Sequence, residues 1–210
     1  MKEITIGILP FQEKDFFFPI RDKVDYVKLI LNSTQYLLLS NDIEEVDLKE
    51  CNSKLKVVID RMSRLFFYQK GKYFSISFPF ILRLDDDDKI LEITTFTGTI
   101  IDSQSVSMAS AVLKDGIFQL SQSLIDYYLE ASKVESYGID LLETIFHSEP
   151  AYLRYDYDPE REDGRQHPLN HLDVNYSSYG TYKLGLNNEI IENYFENVVN
   201  INTDCSFLDD

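Results

Sequence analysis

The chain has 210 residues and a formal net charge of −16, from 20 basic and 36 acidic side chains. That balance excludes a broad phosphate-binding surface, because nonspecific nucleic-acid affinity comes from Lys and Arg displacing counterions. A small local basic site, a basic partner or plain solubility all stay open. A hydrophobic fraction of 44%, with 14 Tyr and 14 Phe, excludes general disorder.

Cys51 and Cys205 stand far apart and outside any C-x-x-C pair, so no zinc ribbon or thioredoxin-like motif is present. The N-terminal apolar run is too short for a signal peptide, and no stretch approaches the roughly 18 apolar residues of a membrane span. These features predict a cytoplasmic protein with reduced thiols and no membrane association.

Residues 1–20 are apolar and aromatic, with Phe16, Phe17 and Phe18 before Pro19, and read as an N-terminal arm packed on the core, with a docking segment or a covered edge strand as alternatives. Pro19 is expected to open a helix through Val24, Val27, Ile30 and Leu31. Asn32, Ser33 and Thr34 interrupt that pattern, and Tyr36 to Leu39 reads as a short buried strand, with a helix turn as the alternative. Asn41 to Glu50 is acidic and loop-like. From Ser53, the spacing of Leu55, Val58, Ile59, Met62, Leu65 and Phe66 predicts a second helix, ending at Gly71.

Tyr73 to Leu84 and Ile90 to Ile101 alternate, and predict a hairpin with an acidic tip at Asp85–Asp88. Those four aspartates lack the spaced oxygens and glycine turn of a calcium loop. Pro79 marks an edge or bulge. Ser103 to Ser110 is small and polar, without clear period. Helices are expected over Phe118 to Leu129, over Ile139 to Phe146 after Gly138, and over Ile190 to Val198. Strands are expected at Ala151 to Asp158, His171 to Tyr176 and Thr181 to Leu186. The tail 204–210 is expected to fray. One α+β domain over 1–210 follows, with four to six mainly antiparallel strands and helices on one sheet face.

Two of the three histidines fall in the stretch from Tyr152 to Asn175. On a strand, Arg154, Asp156 and Asp158 share one face, and Leu153, Tyr155 and Tyr157 the other. On the next strand His171, Asp173 and Asn175 share a face. Paired with apolar sides together, the two strands gather Arg154, Asp156, His171 and Asp173 on one polar surface. Pro168 holds His167 in an extended or turn conformation beside it. Pro159 to Gln166 reads as an exposed, mobile loop.

Three chemistries fit this surface. The plain structural one is a solvated sheet face with Arg154 paired to Asp156 or Asp173. A metal-free catalytic one uses His167 or His171 as general base, with Arg154 and Asp156 completing a site for phosphodiester chemistry. A metal-dependent one places a divalent ion on His167, His171 and Asp173. His147 more simply caps the end of its helix. Phosphate-cradling and nucleophile-elbow motifs are absent.

The run Arg154-Tyr-Asp-Tyr-Asp-Pro159 followed by His167-Pro-Leu-Asn-His-Leu172 resembles a bacterial family, domain of unknown function 2290, whose pattern is R-Y-D-Y then H-P-x-x-H-L-H. Glu149 and Pro150 just upstream are similar too. The specific part covers some 25 residues. A looser likeness links R-Y-D and the histidine cluster to TumE-type toxins, and implies a defence or toxin-like role acting on RNA. Asp173 stands where a histidine is expected, which removes a histidine pair and leaves a binding-only member open. The alternative reading is an acidic accessory or inhibitor subunit that docks a protein partner, or a nucleic-acid mimic.

Overall fold

The computed structural model describes residues 2–40, 51–59, 63–114, 133–176 and 180–207. Among them the strands are β1 (Lys2–Ile8), β2 (Ser53–Ile59), β3 (Arg64–Gln69), β4 (Lys72–Ser77), β5 (Ile81–Leu84), β6 (Ile90–Thr94), β7 (Leu153–Tyr157), β8 (Asn170–Val174) and β9 (Tyr182–Leu186). The helices are α1 (Lys23–Leu39), α2 (Ser103–Lys114), α3 (Lys133–His147) and α4 (Glu192–Val199). Seven strands form one antiparallel sheet in the order β1-β2-β3-β4-β7-β8-β9, and β5 and β6 form a separate hairpin. The fold is α+β and mainly sheet. None of the described helices is long and apolar enough to cross a membrane.

The sheet is wider than four to six strands because residues 53–69 are two strands and not a helix. Leu55, Val57, Leu65 and Phe67 bury on one face, and Phe66 and Tyr68 on the other. β3 is buried on both faces and loses its polar alternation, so its apolar run, joined to Leu55, Val58 and Ile59, imitates a helical stripe. Gly71, at φ 71°, closes the β3–β4 hairpin where a helix stop was expected.

Tyr36 to Leu39 is not a strand but the last turn of α1, and Ser33 and Thr34 do not break it. Their hydroxyls donate to Leu29 O and Ile30 O, each at 2.7 Å, so two buried polar groups are satisfied within the helix. The helix starts after Asp22 rather than at Pro19, with the Asp22 carboxylate accepting from Asp25 N at 3.0 Å. Ser103 to Ser110 is helical as well: it opens α2, with Ser105 N donating to Asp102 Oδ1 at 2.7 Å. These hydrogen bonds hold the Asp102 carboxyl below its ordinary range.

The first three helices share one face of the sheet. There Leu29, Ile30 and Leu37 of α1 and Leu142 and Ile145 of α3 meet Leu55, Leu65, Phe67 and Ile76. The fourth helix lies on the opposite face, where Phe195 meets Phe66, Tyr155 and Leu172. Helices therefore pack on both faces, not on one. β1 is an edge strand of the sheet, and Phe16 is buried in the core as expected of the arm. The acidic hairpin tip is as expected, with Asp85 accepting from Asp87 N at 2.9 Å and Lys89 N at 2.8 Å, but the hairpin is only β5 with β6, and residues 73–77 belong to β4 of the main sheet. The expected loop at 41–50, the helix over 118–129 and the last three tail residues lie outside the described residues.

Gly138 sits inside α3 and not at its start. A Cβ there would lie 2.8 Å from Ala109 N and Met108 Cβ of α2. Two helix backbones touch at this point, and only glycine leaves the room. Gly138→Ala gains about 1 kcal/mol of helix propensity, yet must separate the helices at a cost of about 1–3 kcal/mol. The expected outcome is a net loss of stability in urea unfolding; a gain would mean that the helices do not touch in solution.

Candidate functional site

The sheet half formed by β7, β8 and β9 carries the polar cluster. Its entry is clamped at four successive carbonyls. Lys23 Nζ donates to Ser148 O, Ser77 Oγ to Glu149 O, Ser77 N to Pro150 O at 2.8 Å, and Arg64 Nη2 to Ala151 O at 2.6 Å. Ala151 takes φ 43°, a left-handed conformation that costs a non-glycine residue energy. The clamp fixes that kink, and with it the phase of β7: Leu153 and Tyr155 turn to the Phe195 side, Arg154 and Asp156 to the other.

Register then assembles the site. Arg154 stands opposite Asp173, and Asp156 opposite His171. On the far side of β8, Lys183 stands opposite Asp173 and Gly185 opposite His171. Arg154 Nη2 donates to Asp173 Oδ2, and Nη1 to the Tyr152 hydroxyl at 3.4 Å. Arg154 Nε lies 2.6 Å from Asp156 Oδ2, which is an ion-pair distance. The approach is out of line, however, and the buried N–H makes no hydrogen bond. Asp173 Oδ1 accepts from Thr181 Oγ1 at 3.1 Å and has Lys183 Nζ at 4.0 Å.

Burial sets the electrostatics. His171 is 1% exposed and Asp173 2% exposed. For Arg154, desolvation opposes the charge, but Tyr152, Asp156 and Asp173 outweigh it and raise its pKa. Desolvation lowers the Lys72 ammonium, partly offset by Asp156. The Tyr152 hydroxyl is pushed up to about 12, mainly by burial. This is not the solvated polar face that alternation alone suggests. Residues 158–169 fold over it.

The cover is built by Pro168. A Cβ on Gly185 would come within 3.0 Å of Pro168 Cγ, so glycine lets the proline lie against β9. Pro168 O then meets His171 Nδ1 at 2.9 Å. Only a protonated Nδ1 can donate to a carbonyl, which leaves Nε2 as the second group of His171, 3.8 Å from Asp156 Oδ2. The loop is exposed, as expected, but held as a turn: Asp163 N donates to His167 O at 2.9 Å, with Gly164 at φ 50°.

His167 lies beside His171, with ring centroids 4.7 Å apart and the planes at 72°. Its Nδ1 is 3.1 Å from Lys183 Nζ, and its Nε2 is 3.2 Å from Asp158 Oδ2. A lysine ammonium only donates, so Nδ1 is the acceptor and Nε2–H donates to Asp158. Burial alone would raise Asp158, but His167 and the Arg161 N–H outweigh it and hold the carboxyl low. Asp158, His167 and Lys183 thus form an accessible chain beside a buried one.

The sequence-predicted residues Arg154, Asp156, His171 and Asp173 come together. Asp156, His171 and Asp173 offer ligand atoms within 4.8 Å of one another. His167 is not in that trio; Asp156 takes the place the sequence suggested for it. His147 is exposed at the last residue of α3, where a helix C-terminus favours a cation. Sequence reasoning missed Lys183 and the role of Asp158. Lys183 alternates with Gly185 on β9, but which β8 residue it faces depends on a register that no pattern states.

Comparison of the chain with protein-family models, with curated proteins and with solved structures finds no match.

Proposed function

We propose that the Asp158–His167–Lys183 chain, backed by Arg154 and Asp156, is a hydrolytic site for phosphodiester substrates, RNA or nucleotides. The observation that carries this is His167 itself. One ring nitrogen donates to a carboxylate, and the other presents a lone pair to a half-exposed ammonium. An oriented imidazole is the arrangement a general base needs. A phosphate that takes the Lys183 ammonium frees His167 Nδ1 to accept the proton of the attacking water or ribose hydroxyl. Arg154 is committed to two carboxylates, so it organises the site while Lys183 meets the anion. The R-Y-D-Y and H-P-x-x-H-L run supports a bacterial defence or toxin-like setting.

The test pairs stability with activity. Expressed in a bacterial host and assayed on a fluorogenic single-stranded RNA, His167→Ala should lower cleavage at least about 100-fold while its melting temperature holds. Asp158→Asn, which keeps the shape but loses the charge, should fall in between. Full activity in both variants would end the enzyme reading. It would leave the accessory reading, in which the net charge of −16 and the Asp85–Asp88 tip meet a basic protein partner.

A further inference from the structure

We infer that Asp156, His171 and Asp173 bind one divalent transition-metal ion of the Mn²⁺, Fe²⁺ or Zn²⁺ class. This rests on geometry alone and goes beyond the hydrolytic reading, which uses His167. Imidazole with two carboxylates is a donor set that suits these ions. The three ligand atoms lie within 4.8 Å of one another, on adjacent strands in fixed register. Ligand bonds of about 2.0–2.2 Å require slightly closer approach, within reach of side-chain rotation.

Two further observations point to a cation. The first is the tautomer of His171. Its Nδ1–H donates to Pro168 O, so a neutral ring turns a lone pair on Nε2 toward the Asp156 carboxylate, in a site 1% exposed. At 3.8 Å the gap is too long for a hydrogen bond from a protonated ring. The Nε2 of His171 and the Asp156 carboxylate therefore face one space with no hydrogen bond between them, a space that a cation would fill. A backbone carbonyl behind the other nitrogen is the outer support that metal-bound histidines use. Thr181 Oγ1 orients Asp173 in the same way, at 3.1 Å.

The second is Arg154. It places one positive charge between the two carboxylates, yet its buried Nε–H makes no hydrogen bond. A divalent ion brings two charges to the same oxygens, and displacing Nε gives up its ion pair with Asp156 but no hydrogen bond. His167 stays outside, both its nitrogens being engaged by Asp158 and Lys183.

Protein purified without a histidine tag and stripped with chelator would be titrated with Mn²⁺ by calorimetry, and loaded with Co²⁺ for its visible absorption. The expected result is one ion per chain with a nitrogen ligand. His171→Ala and the near-isosteric Asp156→Asn should each weaken Mn²⁺ at least about tenfold. His167→Ala should keep the stoichiometry. If His171→Ala fails to fold, Asp156→Asn carries the test. No Mn²⁺ or Zn²⁺ binding at millimolar concentration, or binding unchanged in Asp156→Asn, would overturn the inference. Metal binding in a protein whose His167→Ala variant still cleaves RNA would retain this site and remove the base.

Discussion

Arg154→Met should destabilise the protein by about 3–5 kcal/mol, the cost of breaking a buried pair by removing one partner. Among the described residues Arg154 is the single cation paired with both Asp156 and Asp173, and Asp173 is 2% exposed. Lys183, at 4.0 Å and more exposed, is too distant to replace it. Without Arg154, two carboxylates face each other across β7 and β8 in a site largely shut off from water. Urea unfolding measures the loss. Arg154→Met combined with Asp173→Leu should recover part of it, because the more deeply buried carboxylate is gone and only the partly exposed Asp156 is left without its guanidinium. Added Mn²⁺ should stabilise Arg154→Met more than the parent, since it binds the folded site without displacing a guanidinium. A loss below about 1 kcal/mol would match an exposed surface pair and mean that water enters the site.

The same cluster shows what the residues alone disclose. Alternation put Arg154 and Asp156 on one side of a strand, and His171 and Asp173 on one side of the next. That is a local property of extended chain, and the register Arg154↔Asp173 keeps it. Lys183 and the role of Asp158 were not legible, because they depend on how β9 registers against β8 and how the 158–169 turn folds back. The fold divides in the same way. β7 to β9 have one polar side and read as strands; β3 is covered on both sides and, run together with β2, reads as helix. Inside α1, Ser33 and Thr34 look like a break in sequence. Only their bonds to Leu29 O and Ile30 O make them helical. At Asp173 the carboxylate serves Arg154, a partner that a neutral histidine would not match.

Phe195→Ala should cost about 3–5 kcal/mol, as large-to-small changes at buried aromatics do. α4 has eight residues, too few to hold helical shape unaided. It folds because Phe195, its one buried residue, inserts at 0% exposure over the sheet face opposite the polar cluster. Its ring lies 6.3 Å from Phe66 at 83° and 6.1 Å from Tyr73. A second tie comes from Glu196, which takes Lys56 Nζ at 2.8 Å and the Tyr68 hydroxyl. Burial first, then this carboxylate, push the Tyr68 hydroxyl far above its ordinary value. The polar tie alone cannot hold the helix, since an ion pair of this kind contributes about 1 kcal/mol or less when water reaches it. Hydrogen exchange should show residues 192–199 of the variant losing protection first. Leu153, Tyr155 and Leu172 lie directly beneath Phe195, on the strands whose other side carries Arg154, Asp156 and His171. Loosening that floor should therefore lower activity more than a distant core change of equal cost, such as Leu142→Ala in α3. Equal activity in the two variants at matched stability would show that the site does not depend on the Phe195 side of the sheet.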